Sequence, residues 1–477
     1  MAMPDTAPPT TPPPAHSARW WALSWISLTQ LMMVVVSTVM NIAVPSAQAD
    51  LGLTDTQRQW VITIYLLAFG ALLLLGGRVA DTIGRRRALL IGLAGFTLAS
   101  ILGGLAPNPE TLLAARALQG VFSALIAPAA LALMSLTFPA GPDRAKAFGI
   151  FGTIMGAGSG VGVVVGGILT DSWGWRSAMF INVPIALAAA IGLLIALPAD
   201  PAHRGRVDLL GGALSALGLT ALTLGFTSSE TSGWTAPATL GLFTVGTIAL
   251  LGFVWRQHRA PAPLMPLTLF AERRRSAAFL AMLSWGIAIM PVFLFLSVFL
   301  QQIVGLTPLL SGLAFLPYTL AILVTVRAIR PLQARVAPRV LISAGLLVIA
   351  TALVLLSLLH SDASWMQVLP VLLLLGIGTA SVQPTAQSAA TYQAGPASGA
   401  AGAVASTAQQ VGSSLGMALL GSVAATATAA AAGAGHTAGA SVVAGFATAG
   451  SVGAAILATA AVVTFVVAGR DRAAVAR

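Results

Sequence analysis

Fourteen long apolar runs, separated by short polar or basic segments, constrain the fold of this chain more than any other feature. A helix needs about 20 mostly apolar residues to cross a bilayer, and each run is near that length or longer. We therefore predict an all-α integral membrane protein with 14 transmembrane helices. The predicted spans are 21–46, 59–76, 88–106, 111–138, 146–169, 177–198, 208–227, 237–255, 276–302, 308–329, 339–359, 365–388, 399–425 and 446–469.

The composition indicates that lipid is the solvent of this fold. Only 8% of the residues are charged and 57% are hydrophobic, whereas a soluble domain carries roughly 25% charged residues. In a membrane protein, a net charge of +11 reflects topology signals and contacts with anionic lipid, so we expect no nucleic-acid partner. The chain has no cysteine, which excludes disulfides and thiolate chemistry.

Basic residues mark one side of the predicted bundle. Of the 24 Lys and Arg residues, all but Arg58, Arg116 and Arg176 fall in segments that lie inside if the N-terminus is inside. Because Lys and Arg resist translocation, both termini are predicted to be cytoplasmic. Lysine occurs once, at Lys146, and Ala and Gly are abundant, which is typical of a GC-rich bacterial genome such as that of an actinobacterium. The expected location is the bacterial plasma membrane.

The chain is expected to contain two helical bundles joined by an inserted helix pair. The Pro- and Thr-rich N-terminus is predicted to be disordered, and it lacks the pattern of a signal peptide. A short interfacial helix is expected near Leu267–Ala271. The predicted segments are a cytoplasmic tail (1–19), a six-helix bundle (20–199), a linker with helices 7 and 8 (200–255), a cytoplasmic linker (256–275), a second six-helix bundle (276–469) and a cytoplasmic tail (470–477).

The segment between the second and third spans reads G-x-x-x-D-x-x-G-R-R-R. Glycines allow tight turns, the aspartate can pair with a neighbouring arginine, and the basic tip suits a cytoplasmic hairpin. The spacing resembles the cytoplasmic loop signature of the major facilitator superfamily, whereas a plain hairpin would need only basic residues. The residues of interest are Gly77, Asp81, Gly84, Arg85 and Arg86.

The fourth span contains Arg116, and an arginine in hydrocarbon is costly and functional by default. The run R-x-x-Q-G-x-x-x-A from Arg116 to Ala124 resembles the fourth-span motif of the superfamily, whose arginine is associated with proton coupling. The resemblance implies that Arg116 and Gln119 act in coupling or conformational change. The alternative is that Arg116, about two turns from the outer end, snorkels to water.

The fifth span carries small residues at four-residue spacing, which let helices pack closely. It resembles the exporter motif G-x-x-x-G-P-x-x-G-G, with Val163 in place of the usual proline. Packing without any meaning for transport is the alternative. The matching residues are Gly158, Gly162, Gly166 and Gly167.

Three further runs resemble the fourteen-span drug:proton antiporter branch, the EmrB/QacA type. They are Gly174–Pro184, Leu300–Leu309 and Gln409–Gly416. The resemblance implies alternating access to a site near the bilayer midplane, and export of small amphipathic drugs, antibiotics or secondary metabolites driven by inward proton flow.

Span one departs from that branch at Val36, where an aspartate is usual, and no acidic residue lies in the middle of any predicted span. We therefore expect neutral or anionic substrates, with coupling through Arg116 and an outer acid (Asp50, Asp55 or Glu110) or through the ionisation of the substrate. Neutral polar residues are predicted to line the cavity, although interhelical hydrogen bonding would equally explain each of them. They are Gln30, Ser37, Thr38 and Asn41, together with Gln119, and Gln383, Gln387, Gln409 and Gln410 in the second half.

Other functions stay open at this stage. Metabolite uptake, uncoupled efflux and a non-transporting receptor or scaffold all fit the same fold. An enzyme is not expected, because no catalytic constellation lies at membrane depth. We expect no cofactor and no metal, since the histidines fall in tails or loops without ligand spacing. These are His16, His203, His258, His360 and His436.

Overall fold

A computed structural model describes residues 16–138, 142–198, 207–333, 335–362, 364–392 and 398–469. Residues 1–15 of the tail predicted at 1–19, the whole tail predicted at 470–477, and linker residues 200–206 lie outside the described residues. The helices are α1 (His16–Leu51), α2 (Asp55–Ile83), α3 (Arg85–Gly104), α4 (Pro109–Thr137), α5 (Pro142–Trp173), α6 (Ser177–Phe180), α7 (Asn182–Ala196), α8 (Leu209–Ser232), α9 (Pro237–Arg259), α10 (Arg273–Val298), α11 (Pro308–Ala314), α12 (Leu316–Gln333), α13 (Pro338–Ser357), α14 (Trp365–Thr391), α15 (Ser398–Gly433) and α16 (Ala438–Val467).

These helices confirm the all-helical membrane fold. Within the described residues, 13 helical segments are long and apolar enough to cross a bilayer. The predicted fifth span lies in α5, whose described apolar part, Val161–Trp173, is shorter. With α6–α7 and α11–α12 each counted as one broken helix, the helices follow the order of the 14 predicted spans.

Several predicted boundaries are wrong in detail. The loop expected between the second and third spans is almost entirely helical, because α2 continues to Ile83 and α3 begins at Arg85, leaving only Gly84 with a φ of 94°. Helix α1 begins at His16, so the last residues of the predicted disordered tail are helical. The short helix near Leu267–Ala271 is confirmed as a 3-10 turn.

Proline explains why two predicted spans are broken. Pro184 and Pro317 lack an N–H, so each frees the carbonyl four residues earlier and interrupts the helical ladder. The sixth span divides into α6 and α7 at Ile181, and the tenth divides into α11 and α12 at Phe315.

The two bundles repeat the same helix contacts. In the first bundle α2 and α3 both pack on α4 and α1 packs on α5. In the second bundle α12 and α13 both pack on α14 and α10 packs on α15. The inserted helices α8 and α9 pack on each other, and α8 also contacts α2 and α15. The inserted pair is therefore attached, through α8, at the place where α2 of the first bundle packs against α15 of the second.

The repeat extends to single residues in the α2–α4 and α12–α14 contacts. A Cβ on Gly120 would lie 2.5 Å from the carbonyl oxygen of Tyr65, and a Cβ on Gly376 would lie 2.5 Å from the carbonyl oxygen of Tyr318. Arg116 precedes Gly120 by one helical turn, and at the same distance before Gly376 stands the buried Leu372. The two halves thus share a packing scheme, but only the first carries a buried charge at this position.

Candidate transport site

Arg116 lies fully buried in α4 and contacts α2. Its Nε donates to the carbonyl oxygen of Val61 at 2.9 Å, its Nη1 donates to Gln119 Oε1 at 2.8 Å, and its guanidinium carbon lies 4.4 Å from the centre of the Tyr65 ring. Its Nη2 is buried and has no hydrogen-bond partner within the described ranges. Because a buried cation needs compensation, this nitrogen is suited to receive an electronegative atom.

These contacts overturn the alternative in which Arg116 snorkels to water, because the guanidinium is 0% exposed and is held inside the bundle. The contacts of Gln119 also differ from the expectation that it lines the cavity with the polar residues of α1. Gln119 Nε2 donates to Ser100 Oγ of α3 at 2.8 Å and lies 3.7 Å from Met179 Sδ of α6. Its amide therefore contacts α3 and α6 rather than lying beside the polar residues of α1.

Two of the three outer acids that were expected to act with Arg116 form ion pairs with other arginines. Asp50 pairs with Arg176 and accepts a hydrogen bond from Trp175 Nε1 at 3.0 Å. Asp55 pairs with Arg58 at 3.1 Å. Across the described ranges, each acidic residue lies in a loop or within three residues of a helix end. The helix interiors described here therefore contain no carboxylate to balance Arg116.

The polar residues of α1 make mixed contacts. Gln30 Nε2 donates to the carbonyl oxygen of Ala127 in α4 at 3.4 Å, which is an interhelical packing contact. The hydroxyl of Thr38 turns back to its own helix. Asn41 Nδ2 donates to the carbonyl oxygen of Ser37 at 2.9 Å, while its buried Oδ1 has no hydrogen-bond partner among the described residues. Among the four predicted cavity residues of α1, Asn41 is thus the one with a buried acceptor that has no described donor; outside that set, the Ser27 hydroxyl of α1 is also buried without a partner in the described residues.

The glutamines of the second half lie on α14 and α15. Gln383 and Gln387 are half-buried on α14, and the buried Oε1 of Gln387 has no hydrogen-bond partner in the described part of the chain. Gln409 and Gln410 are half-buried on α15. A Cβ on Gly70 of α2 would lie 3.2 Å from the backbone of Gln410. This pair therefore lies where the two bundles meet.

The glycines of α5 bring three helices together. A side chain on Gly158, Gly162 or Gly166 would overlap atoms of α1. Gly167 faces the opposite bundle, since its Cβ would lie 2.7 Å from the carbonyl oxygen of Pro308 in α11. Small residues at this spacing thus allow α5 to approach α1 and to touch the second bundle in the same turn.

A contact that the sequence interpretation missed joins α1 to α10. Pro45 lies inside α1 and has no N–H, so the carbonyl of Asn41 loses its helical donor. Ser297 Oγ of α10 donates to that carbonyl oxygen at 2.7 Å. Gln301 Nε2 donates to the carbonyl oxygen of Ile42 at 3.1 Å. The proline inside α1 was the available signal, but it did not identify the partner.

The backbone of α10 changes form beside this contact. Residues Phe299–Ile303 form a π-helix, a form that is frequent at functional sites. Gln301 lies within it and also donates to Ser297 Oγ at 3.1 Å. This contact lies at the end of the bundles where α1 ends, which we call the Leu51 side. We call the opposite end of the bundles the Arg85 side.

At the Arg85 side, the basic segment joins neighbouring elements. Asp81 and Arg85 form an ion pair of 3.0 Å across the break at Gly84. Arg86 Nη2 donates to the carbonyl oxygen of Leu194 in α7 at 2.8 Å. The segment therefore connects α2, α3 and α7.

Two further contacts extend this connection. Gly77 faces Pro128 of α4, where an added Cβ would make an ordinary van der Waals contact at 3.4 Å. Arg78 Nη2 donates to the carbonyl oxygen of Pro263 at 2.6 Å, in the linker that follows α9. The inserted helix pair is thereby tied to the end of α2.

Comparison with known proteins decides the family. The family model described as Major Facilitator Superfamily matches residues 26–417. The chain belongs to the major facilitator superfamily. The superfamily consists of transporters, and this member is a multi-pass membrane protein that acts on a small-molecule substrate.

Named relatives of this major facilitator protein are resistance and export proteins. It is 45% identical over 412 residues to a puromycin resistance protein of Streptomyces alboniger, covering 85% of this chain and 82% of the relative. It is 37% identical over 406 residues to a cephamycin export protein of Amycolatopsis lactamdurans, covering 84% of each. An autoinhibited peptide transporter of the POT family has the same fold, with a TM-score of 0.68 at 17% identity, covering 96% of this chain and 97% of the other.

Proposed function

We propose that this protein exports small amphipathic drugs, antibiotics or secondary metabolites from the cell by alternating access. The relatives named for resistance and export support efflux over uptake. The two bundles with matching helix contacts support alternating access, because such repeats rock against each other around a central site.

The orientation that fits this role has both termini in the cytoplasm of a bacterial cell. The basic segment Arg85–Arg87 then faces the anionic inner leaflet, as the positive-inside rule requires. Hydrogen bonds between the bundles on the Leu51 side, from Ser297 to Asn41 and from Gln301 to Ile42, then close the outer side. A conformation that is closed on the outer side supports entry of the substrate from the cytoplasm.

The observation that carries the substrate proposal is that Arg116 is buried while the described helix interiors contain no carboxylate to balance it. A dicationic substrate would add charge next to an uncompensated cation, which is costly in low dielectric. A neutral or anionic compound can instead offer an acceptor to Arg116 Nη2. Neutral or anionic amphipaths are therefore the expected class.

Proton-driven export requires a group that changes charge during the cycle. Asp50 and Asp55 are held by Arg176 and Arg58, so of the three outer acids Glu110 is the one whose use would break neither ion pair. It lies in the first turn of α4, on the same helix as Arg116. Coupling through Glu110 and Arg116, or through the ionisation of the substrate itself, fits this arrangement.

A susceptibility panel tests this function. An efflux-deficient bacterial host would express the wild type, Arg116→Ala or Arg259→Gln, an exposed control on α9. We expect the wild type and the control to raise resistance to neutral and anionic antimicrobials, and Arg116→Ala to lose it at equal expression. A protonophore should abolish the effect if export is proton-coupled.

Other results would change the assignment. Resistance that persists with a protonophore would indicate an uncoupled carrier. Greater sensitivity caused by the wild type would indicate uptake. Binding of a compound without any flux would indicate a receptor of the same fold.

A further inference from the structure

A groove of about 570 Å³ runs between α1 and α7 at the Arg85 side. It is separate from the interior occupied by Arg116, because its walls belong to the outer surface of the first bundle. All its lining residues are apolar: Trp21, Trp25, Ala188, Ile191, Gly192, Ile195 and Ala196.

Small residues of α7 form the floor of this groove. Ala188, Gly192 and Ala196 follow one another at four-residue spacing, so they share one face of the helix. The ring of Trp25 packs directly on Gly192, where any side chain would overlap it. The floor extends over about 12 Å of helix, which suits an extended hydrocarbon chain.

The walls are exposed in a way that suits lipid. Ile195 is 82% exposed and Trp21 is 62% exposed, and the rings of Trp21 and Trp25 stack with centroids 6.2 Å apart. Tryptophan is enriched where membrane meets water. The groove thus begins at the depth of the headgroups and continues into the hydrocarbon region.

Basic residues flank the groove at its headgroup end. Arg86 is fixed to the carbonyl of Leu194, which adjoins groove residue Ile195. At the α1 end of the same side, Lys146 Nζ lies 5.0 Å from the ring centre of Trp20, which precedes groove residue Trp21 in the chain. An apolar channel with one cation held by α7 and another held by α1 near its mouth is complementary to an anionic amphipath.

We propose that this groove binds one anionic phospholipid of the cytoplasmic leaflet. An acyl chain lies along α7 against Trp25 and Gly192, and the phosphodiester lies between Arg86 and Lys146. The bound lipid links the cytoplasmic ends of α1, α3, α5 and α7. This proposal is independent of which compound is exported.

Native mass spectrometry of the full-length protein tests the proposal. Detergent-purified protein would be titrated with phosphatidylglycerol or with phosphatidylcholine of the same acyl chains. We expect one phosphatidylglycerol to be retained under conditions that remove phosphatidylcholine. Each of Arg86→Gln and Lys146→Gln should weaken phosphatidylglycerol binding roughly five-fold, the effect of about 1 kcal/mol for each basic residue near the surface.

Two more variants separate the groove from general attraction to charge. Ala188→Phe fills the groove and should abolish retention of the lipid. Arg259→Gln removes a cation that lies over Trp255 of α9, at an interface without this groove, and should leave retention unchanged. Equal binding of the two lipids by the wild type would overturn the proposal, as would equal losses from Arg259→Gln and Arg86→Gln.

Discussion

Ser297 of α10 donates a 2.7 Å hydrogen bond to the carbonyl oxygen of Asn41 in α1, the carbonyl that Pro45 deprives of its helical donor. The two bundles are thus joined at a point where α1 has a backbone acceptor to satisfy. A buried acceptor without a donor costs about 1–3 kcal/mol. In the proposed transport cycle, the Leu51 side opens and water must then replace Ser297 as the donor to the Asn41 carbonyl. The hydrogen bond from Ser297 therefore stabilises the state in which this side is closed.

Ser297→Ala should shift the population towards the state that is open at the Leu51 side. The variant leaves the Asn41 carbonyl unsatisfied only while that side is closed, so the closed state should lose about 5-fold or more in relative population. The chain has no cysteine, so spin labels at Leu105→Cys and Leu358→Cys can report the distance between bundles by pulsed electron resonance.

Ser284→Ala is the matched control for this experiment. Ser284 lies on the same helix, but its hydroxyl donates to the carbonyl of Leu280 in its own helix. We expect wild-type distances from this variant. Identical distance distributions for Ser297→Ala and the wild type would show that the bond does not hold the bundles.

Gly162→Ala should destabilise the first bundle. The added Cβ would overlap Thr38 Oγ1 and lie 3.0 Å from Cα of Val35, and overpacking of this kind costs about 1–3 kcal/mol. The thermal unfolding midpoint in detergent should fall, and adding Thr38→Ala should restore part of the loss, because the hydroxyl in the way is removed.

Gly241→Ala provides the comparison for that variant. Gly241 lies in α9 and has open space where its Cβ would be. Replacing a helical glycine by alanine there should be neutral or stabilising by up to about 1 kcal/mol. If Gly162→Ala unfolds at the wild-type temperature, α5 does not depend on this close approach to α1.

Asp208→Asn should loosen the linker that follows α9. The Asp208 carboxylate accepts hydrogen bonds from Gly211 N at 3.1 Å, Arg256 Nε at 3.0 Å and Gln257 Nε2 at 3.2 Å. We expect faster tryptic cleavage after Arg256 or Arg259 in the variant. Asp55→Asn, which alters a more exposed ion pair, should leave this cleavage unchanged.

The pH dependence of the Asp208 contribution follows from its surroundings. Burial on its own would raise the pKa of the carboxyl, but the hydrogen bonds from Gly211 and Arg256 outweigh it and hold the pKa below its usual value. The stabilisation is therefore complete above the unfolded pKa and is lost as pH falls through the lowered folded pKa. The difference between wild type and Asp208→Asn should be constant from about pH 6 to 8; a steep change in that interval would contradict the assignment.

The sequence predicted the fold well because lipid imposes simple rules. Span length and the distribution of arginine indicate the helices and their order. Proline accounts for the breaks at Ile181 and Phe315, but Pro45 and Pro128 lie inside unbroken helices, so a proline in the sequence does not by itself predict a break. The segment around Gly84 was taken for a loop because its charges suggested water, yet charged side chains can extend from a helix that continues past the membrane.

The sequence identified several residues of the candidate site, but it did not show which residues contact each other. Arg116 stood out because a charge in an apolar run needs a reason. Its partners, Val61 and Tyr65, lie on another helix and have no charge to reveal them. Ser297 was missed for the same reason, since its role depends on a contact 256 residues away along the chain.

Arg116 also permits a test of what the buried charge does. Arg116→Lys keeps the charge, but an ammonium cannot reproduce the planar guanidinium that bonds Val61 and Gln119 while stacking on Tyr65. We expect Arg116→Lys to retain a small fraction of transport and Arg116→Gln to retain none. If Arg116→Lys transports as well as the wild type, then the positive charge is sufficient and the planar guanidinium is not required.

The most direct measurement is substrate flux in proteoliposomes under an imposed pH gradient, comparing the wild type, Arg116→Gln and Arg259→Gln. The account predicts that the wild type and Arg259→Gln transport neutral or anionic amphipaths in preference to dications. It also predicts that Arg116→Gln, folded and reconstituted to the same level, does not transport them. Undiminished flux through Arg116→Gln, or a preference of the wild type for dications, would contradict it.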